Sequence, residues 1–166
     1  MYRTILVPVD GSPAATAGLE EAIRIARTVG ARVHLMNVVD DLFAGEEGSA
    51  GGDMRALVRE RGEQVLRHAR ERAAAVGVEV STDLVASGAE RLTSLLAREA
   101  ASCGADLIVL GTHGHRGLSR LLMGDASEHL LNVTTVPVLL VRSDEVGPDL
   151  SVVEITGTDS MFSSGA

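Results

Sequence analysis

Between residues 111 and 127 the sequence reads GTHGHRGLSRLLMGDAS, with glycines at 111, 114, 117 and 124. Glycine serves where φ is positive or where a side chain would hold the backbone away from a ligand. A loop of that kind that runs into a helix amino terminus offers free amides, which favour a bound anion such as a phosphate. The stretch is not a Walker P-loop, because no Gly-Lys-Ser/Thr follows, and it is not the Gly-x-Gly-x-x-Gly dinucleotide fingerprint. A plain tight connection is the competing explanation. The residue after the last glycine is Asp125, which places a carboxylate where a phosphate would sit. It has two possible roles. It can cap the following helix by accepting from the amides of Ser127 or Glu128, with Glu128 completing a capping-box pattern. Alternatively it helps hold a divalent cation, magnesium or manganese, that bridges it to the phosphates. Unbridged, two unit charges about 4 Å apart at an effective dielectric near 20 repel by roughly 4 kcal/mol. Arg116 and Arg120 lie in the same loop and either offset that repulsion or sit as solvated surface charges.

Other residues carry less signal. Asp10 follows the apolar run TILVPV and is either a cap-like residue before a helix or a ligand contact at the end of a strand. His113 and His115 are paired, but with no third ligand in sequence reach they do not make a metal centre. Asp40 and Asp41 fit a solvated loop, and His34, His68 and His129 show no usable pattern. The single cysteine, Cys103, excludes an internal disulfide and a zinc cluster of thiolates, and reads as a small apolar residue closing a helix.

These residues need elements to hold them. Thr4 to Asp10 is a near-continuous apolar run, as a strand covered on both faces would be. Ser12 offers an N-cap oxygen and Pro13 suits the first helical turn, after which Leu19, Ala22, Ile23 and Ala26 recur at helical spacing. Gly30 ends that helix and Arg32 to Val39 predicts a second strand. A loop is expected from Asp40 to Gly52. A long helix is expected from Asp53 to about Val76, with its apolar stripe on Met54, Val58, Val65, Ala69, Ala73 and Val76. Val78 to Ala86 alternates like a strand near a sheet edge. A helix from about Ala89 to Cys103, a strand from Asp106 to Gly111, a helix from Gly124 to Val133 and a strand from Pro137 to Arg142 follow. Strands alternating with helices of this length predict an α/β, doubly wound, Rossmann-like five-stranded parallel sheet with helices on both faces. Ligands in such sheets lie beyond the carboxyl ends of the strands, where strand order reverses.

Composition narrows the classes. A chain of 166 residues fits one domain, and an aromatic fraction of 2% leaves the core to Val, Leu, Ile and Ala. Net charge is −8 and every basic residue is arginine, so no general basic field invites nucleic acid. No apolar run approaches the roughly 20 residues of a spanning helix, and the first residues look like neither a signal peptide nor an anchor. A cytoplasmic protein without a membrane partner is expected. The domain is expected over 1–142. Residues 143–166 are expected to form a mobile Gly/Ser-rich appendage in which Ser151 to Ile155 could add a short edge strand.

ILVPVDGS near the start, GTHGHRGLSRLLMGDASEHLL late in the chain and the closing VPVLLVR give a resemblance to the universal stress proteins, covering residues 2 to 142. The ATP-binding branch of that family carries Gly, two residues, Gly, nine residues, Gly, then Ser or Thr. Gly111, Gly114 and Gly124 keep that spacing, and Asp125 stands where the hydroxyl would be. The resemblance implies a protein of stress adaptation, usually dimeric, that binds ATP or a related adenine nucleotide of the ADP or AMP class. It also implies adenosine contacts at Pro8, Asp10 and Val38. Phosphate contacts would fall at Leu110, Gly111, His113, Gly114, Gly124, Ala126 and Ser127, with Asp125 at the departing position. A homodimer is expected through the last strand, Pro137, Val138, Leu139, Leu140 and Val141, an apolar edge with unpaired backbone groups. Two other functions compete: a nucleotide-free interaction module of the same fold, and a slow ATP hydrolase. The second lacks a positioned base, a lysine and an arranged nucleophile.

Overall fold

The computed structural model describes residues 1–40, 49–88, 90–112, 129–130 and 132–143. Five parallel strands form one sheet in the order β3-β2-β1-β4-β5: β1 Thr4–Pro8, β2 Arg32–Val39, β3 Val80–Ala86, β4 Leu107–Thr112 and β5 Val138–Arg142. The doubly wound α/β class expected from the alternation is therefore the one adopted. β3 lies at an edge, as its weaker apolar character predicts. The element bounds move by a few residues, Asp10 and Asp106 lying just outside the strands they flank.

Side chains alternate across the strands and divide the core in two. On one face Ile5, Val7, Val33, Leu35, Leu107 and Val109 pack against α1 (Pro13–Val29) and α2 (Ser49–Ala74). On the other, Leu6, Met36, Ile108 and Leu110 pack against α3 (Leu92–Cys103) and against Leu130, which belongs to a helical segment. The near absence of aromatic side chains leaves both layers to branched aliphatics and alanine, and the alanines bring the helices close to the sheet.

α1 forms where its caps predict. Ser12 Oγ accepts from the Ala15 amide at 3.1 Å, Pro13 occupies the first turn, and Gly30 closes the helix at φ 72°. α2 departs from expectation at both ends. It starts at Ser49, inside the expected loop, and it stops at Ala74, two residues before Val76. The middle of its expected stripe holds, with Ala69 and Ala73 buried and Val65 packed against the core, while its ends, Met54 and Val76, are exposed. Leu66 and Gly62, outside the expected stripe, are buried with it. A Cβ on Gly62 would come within 2.6 Å of Asn37 Oδ1 and Leu84 Cδ1, so this helix rests directly on β2 and β3 at a residue that apolar counting passes over. Of the expected fourth helix, residues 129, 130, 132 and 133 are helical. Residues 144–166 lie outside the described part.

Candidate functional site

The strand order reverses beside β1: the chain steps outward from β1 to β2 and β3, then returns to β4 on β1's other side. The carboxyl ends of β1 and β4 therefore flank the crevice in which doubly wound sheets take ligands. Pro8 and Asp10 stand at one lip, Leu110 and Gly111 at the other, and Val38 ends the neighbouring β2. Pro8 alternates onto the same face as Leu6, and Val38 and Leu110 pack within that face's cluster. Five of the residues expected to bind a ligand are thus gathered at one end of the sheet. His113, Gly114, Gly124, Asp125, Ala126 and Ser127 lie outside the described residues.

Asp10 is held by the turn that joins β1 to α1. Gly11 takes φ 79°, in the left-handed region open to glycine, and the Ser12 amide donates to Asp10 Oδ1 at 2.9 Å. That bond satisfies one carboxylate oxygen. The other, Oδ2, is buried and has no hydrogen-bond partner among the described residues. A buried acceptor without a donor costs about 1–3 kcal/mol, and at the mouth of a crevice it is the place where a ligand hydroxyl or a cation would be bound. The cap-like role and the ligand role read from the sequence thus fall to different oxygens of one side chain.

Asn37, which sequence patterning gave no reason to select, fixes the adjoining backbone. Its Nδ2 donates to the Val9 carbonyl at 2.7 Å, and the Val9 amide donates to Met36 at 2.8 Å. The exit of β1 is thereby tied to β2. A polar residue inside the apolar run RVHLMNVV is the signal that could have found it.

Gly111 has a packing role that its loop position does not reveal. A Cβ there would lie 1.7 Å from the Ala14 carbonyl oxygen, and one on Gly18 would lie 2.8 Å from the Gly111 amide nitrogen. The first turns of α1 thus press against the end of β4. The absent side chain points to the α1 face, while the face carrying Pro8, Val38 and Leu110 is the opposite one.

A second polar group lies away from this crevice. His34 Nε2 is 2.9 Å from Glu99 Oε1 and Nδ1 is 2.8 Å from Ser81 Oγ, with His34 and Glu99 both buried. Cys103, half-buried one turn beyond Glu99, closes the group. Burial pushes its thiol above the ordinary value, and the nearby Glu99 adds to that, against the opposing Ala105 amide.

The universal stress protein family model matches residues 1–142. A universal stress protein of Methanocaldococcus jannaschii is 30% identical over 145 residues, 86% of this chain and 83% of that protein. A solved protein of the same family from Burkholderia pseudomallei shares 33% identity at a TM-score of 0.68, over 84% of this chain and 96% of that one. More distant likenesses concern the fold. A universal stress protein solved in complex with cAMP gives a TM-score of 0.64 at 22% identity, over 86% of this chain and 98% of that one. One from Arabidopsis thaliana with AMP bound gives 0.59 at 18%, over 89% and 97%.

Proposed function

Because the chain belongs to the universal stress protein family, we propose that it is a regulatory protein of the stress response that binds an adenine nucleotide in the crevice between the ends of β1 and β4. The observation that carries this is the Asp10 carboxylate, with Oδ1 committed to the Ser12 amide and Oδ2 buried without a donor among the described residues. A ribose hydroxyl supplies the missing donor, and a carboxylate accepts from it more strongly than a neutral group would. Val38 and Leu110 belong to one apolar cluster and Pro8 alternates onto the same face, which gives an apolar wall of the kind an adenine ring requires. The cAMP and AMP bound by two proteins of this fold agree with that chemistry.

The phosphates would then extend towards the glycine-rich loop, with Gly114, Gly124, Ala126 and Ser127 as their contacts and Asp125 either capping the helix or sharing a magnesium or manganese ion with them. Release of ligand from the denatured protein, followed by identification, tests what the protein carries. Thermal melts with millimolar ATP, ADP, AMP and cAMP, with and without magnesium, test affinity. A ligand at 100 times its Kd stabilises by about 2.7 kcal/mol, equivalent to roughly 5–10 °C for a chain of this size. Asp10→Asn retains an acceptor for the Ser12 amide, and should weaken binding about 10- to 100-fold, as expected for a hydrogen bond to a charged group. No shift with any of the four nucleotides would favour the nucleotide-free interaction module.

A further inference from the structure

We propose that His34, Glu99 and Cys103 form a binding site for a zinc-class divalent ion, separate from the nucleotide crevice. Among the described residues, a His34 ring nitrogen, a Glu99 carboxylate oxygen and Cys103 Sγ all lie within 4.8 Å of one another, and Nε2 is the nitrogen beside Glu99. The fold brings them together from two elements: His34 sits within β2, and Glu99 and Cys103 are four residues apart, on one face of the last turns of α3. Arg32 donates to the Cys103 carbonyl at 3.3 Å, which pins that end of the helix against β2.

The donor set is one imidazole nitrogen, one carboxylate oxygen and one sulfur, which suits borderline-soft zinc better than magnesium or calcium. Zinc bonds of about 2.0–2.3 Å place tetrahedral ligands roughly 3.3–3.8 Å apart. His34 Nε2 and Glu99 Oε1 stand at 2.9 Å, and all three ligand atoms lie within 4.8 Å of one another, so the loaded site requires modest side-chain shifts. The remaining tetrahedral position is left for water or another ligand. The outer shell is also arranged. Ligating histidines as a rule donate their second ring nitrogen to a fixed acceptor, and Ser81 Oγ lies 2.8 Å from Nδ1. The aliphatic cluster of Met36, Leu95 and Leu96 belongs to the same face of the sheet, and Arg32 is the cation beside Cys103. The His34–Glu99 contact holds the imidazole and the carboxylate side by side, and an ion entering between them takes its place.

Cobalt(II) is the test ion, because a cobalt–thiolate bond has its own near-ultraviolet charge-transfer absorption. The full chain, reduced and stripped with chelator, should take up one cobalt per chain with that absorption, and zinc should displace it. Cys103→Ser should abolish the absorption. Ser81→Ala, at an exposed position on β3, should lower affinity about 10- to 100-fold through loss of the outer-shell contact. Zinc should also slow alkylation of Cys103 in the unaltered protein, a readout that needs no variant to fold. Four results would overturn the proposal: no thiolate absorption at equimolar cobalt; uptake that persists unchanged in Cys103→Ser; alkylation indifferent to zinc; or half an ion per chain with a doubled mass, which would mean a bridge between chains.

Discussion

Asp106 fastens the foot of β1 to the foot of β4. Its carboxylate accepts from the Arg3 amide at 3.0 Å and the Thr4 amide at 3.1 Å, while its own amide donates to the Thr4 carbonyl. Partial burial opposes ionisation, but the Thr4 and Arg3 amides and the Arg3 guanidinium together outweigh it and hold the carboxyl below its ordinary value of 3.8. A folded-state value below the unfolded one means stability that is present above the unfolded value and lost as pH falls through the folded one. Asp106→Ala should therefore cost about 1 kcal/mol at pH 7, discounted for exposure, and the deficit should shrink below about pH 4. Urea unfolding at both pH values measures this. Asp125 belongs to the same scale. If its charge competes with phosphate, Asp125→Ser strengthens ATP binding and leaves adenosine binding unchanged, with capping retained because serine is also a good N-cap. If it shares a cation with the phosphates, the same change weakens ATP binding in magnesium and matters less in chelator. Calorimetric titrations under both conditions separate the two outcomes.

At the scale of elements, α1 is placed by what its residues lack. Gly18 faces the Gly111 backbone and Gly111 faces the Ala14 carbonyl, so the first turns of the helix meet the end of β4 with no side chain between them. Gly111→Ala would put a Cβ 1.7 Å from that oxygen, which only backbone movement relieves. A loss of about 3 kcal/mol is expected, at the upper end of the usual cost of overpacking. It should appear as a lower midpoint in thermal or urea unfolding without any nucleotide present. The distinction matters, because loss of nucleotide binding in this variant would report displacement of α1 as well as any effect on a phosphate. α2 obeys the same logic through Gly62, where the close approach to Asn37 and Leu84 sets which face of the helix is buried.

For the whole molecule, the strand order leaves β5 at one edge of the sheet with Leu140 49% exposed. Pairing of two copies along Pro137 to Val141 would satisfy that edge and cover the leucine. Light scattering at micromolar protein should then give twice the 17.3 kDa chain mass, and Leu140→Arg should give a folded monomer whose melting midpoint no longer depends on protein concentration. No helix among the described residues is long and apolar enough to cross a membrane. By itself the sequence determined the class of the fold, because strand runs, helical spacing and the Ser12 and Gly30 caps are local features that act over a few residues. It also determined the family, since the glycine spacing and the strand motifs are contiguous in the chain. The burial of Gly62 within α2 was not legible, because a glycine's value there depends on what lies opposite. Nor was the division of labour within Asp10, since one oxygen bonds two residues along the chain while the isolation of the other depends on everything packed around it. His34 had no partner in sequence reach, and Glu99 joins it from 65 residues away. Only the tertiary structure could decide such matters, because close approach, burial and the meeting of side chains from β2 and α3 are properties of distances that the order of residues does not contain.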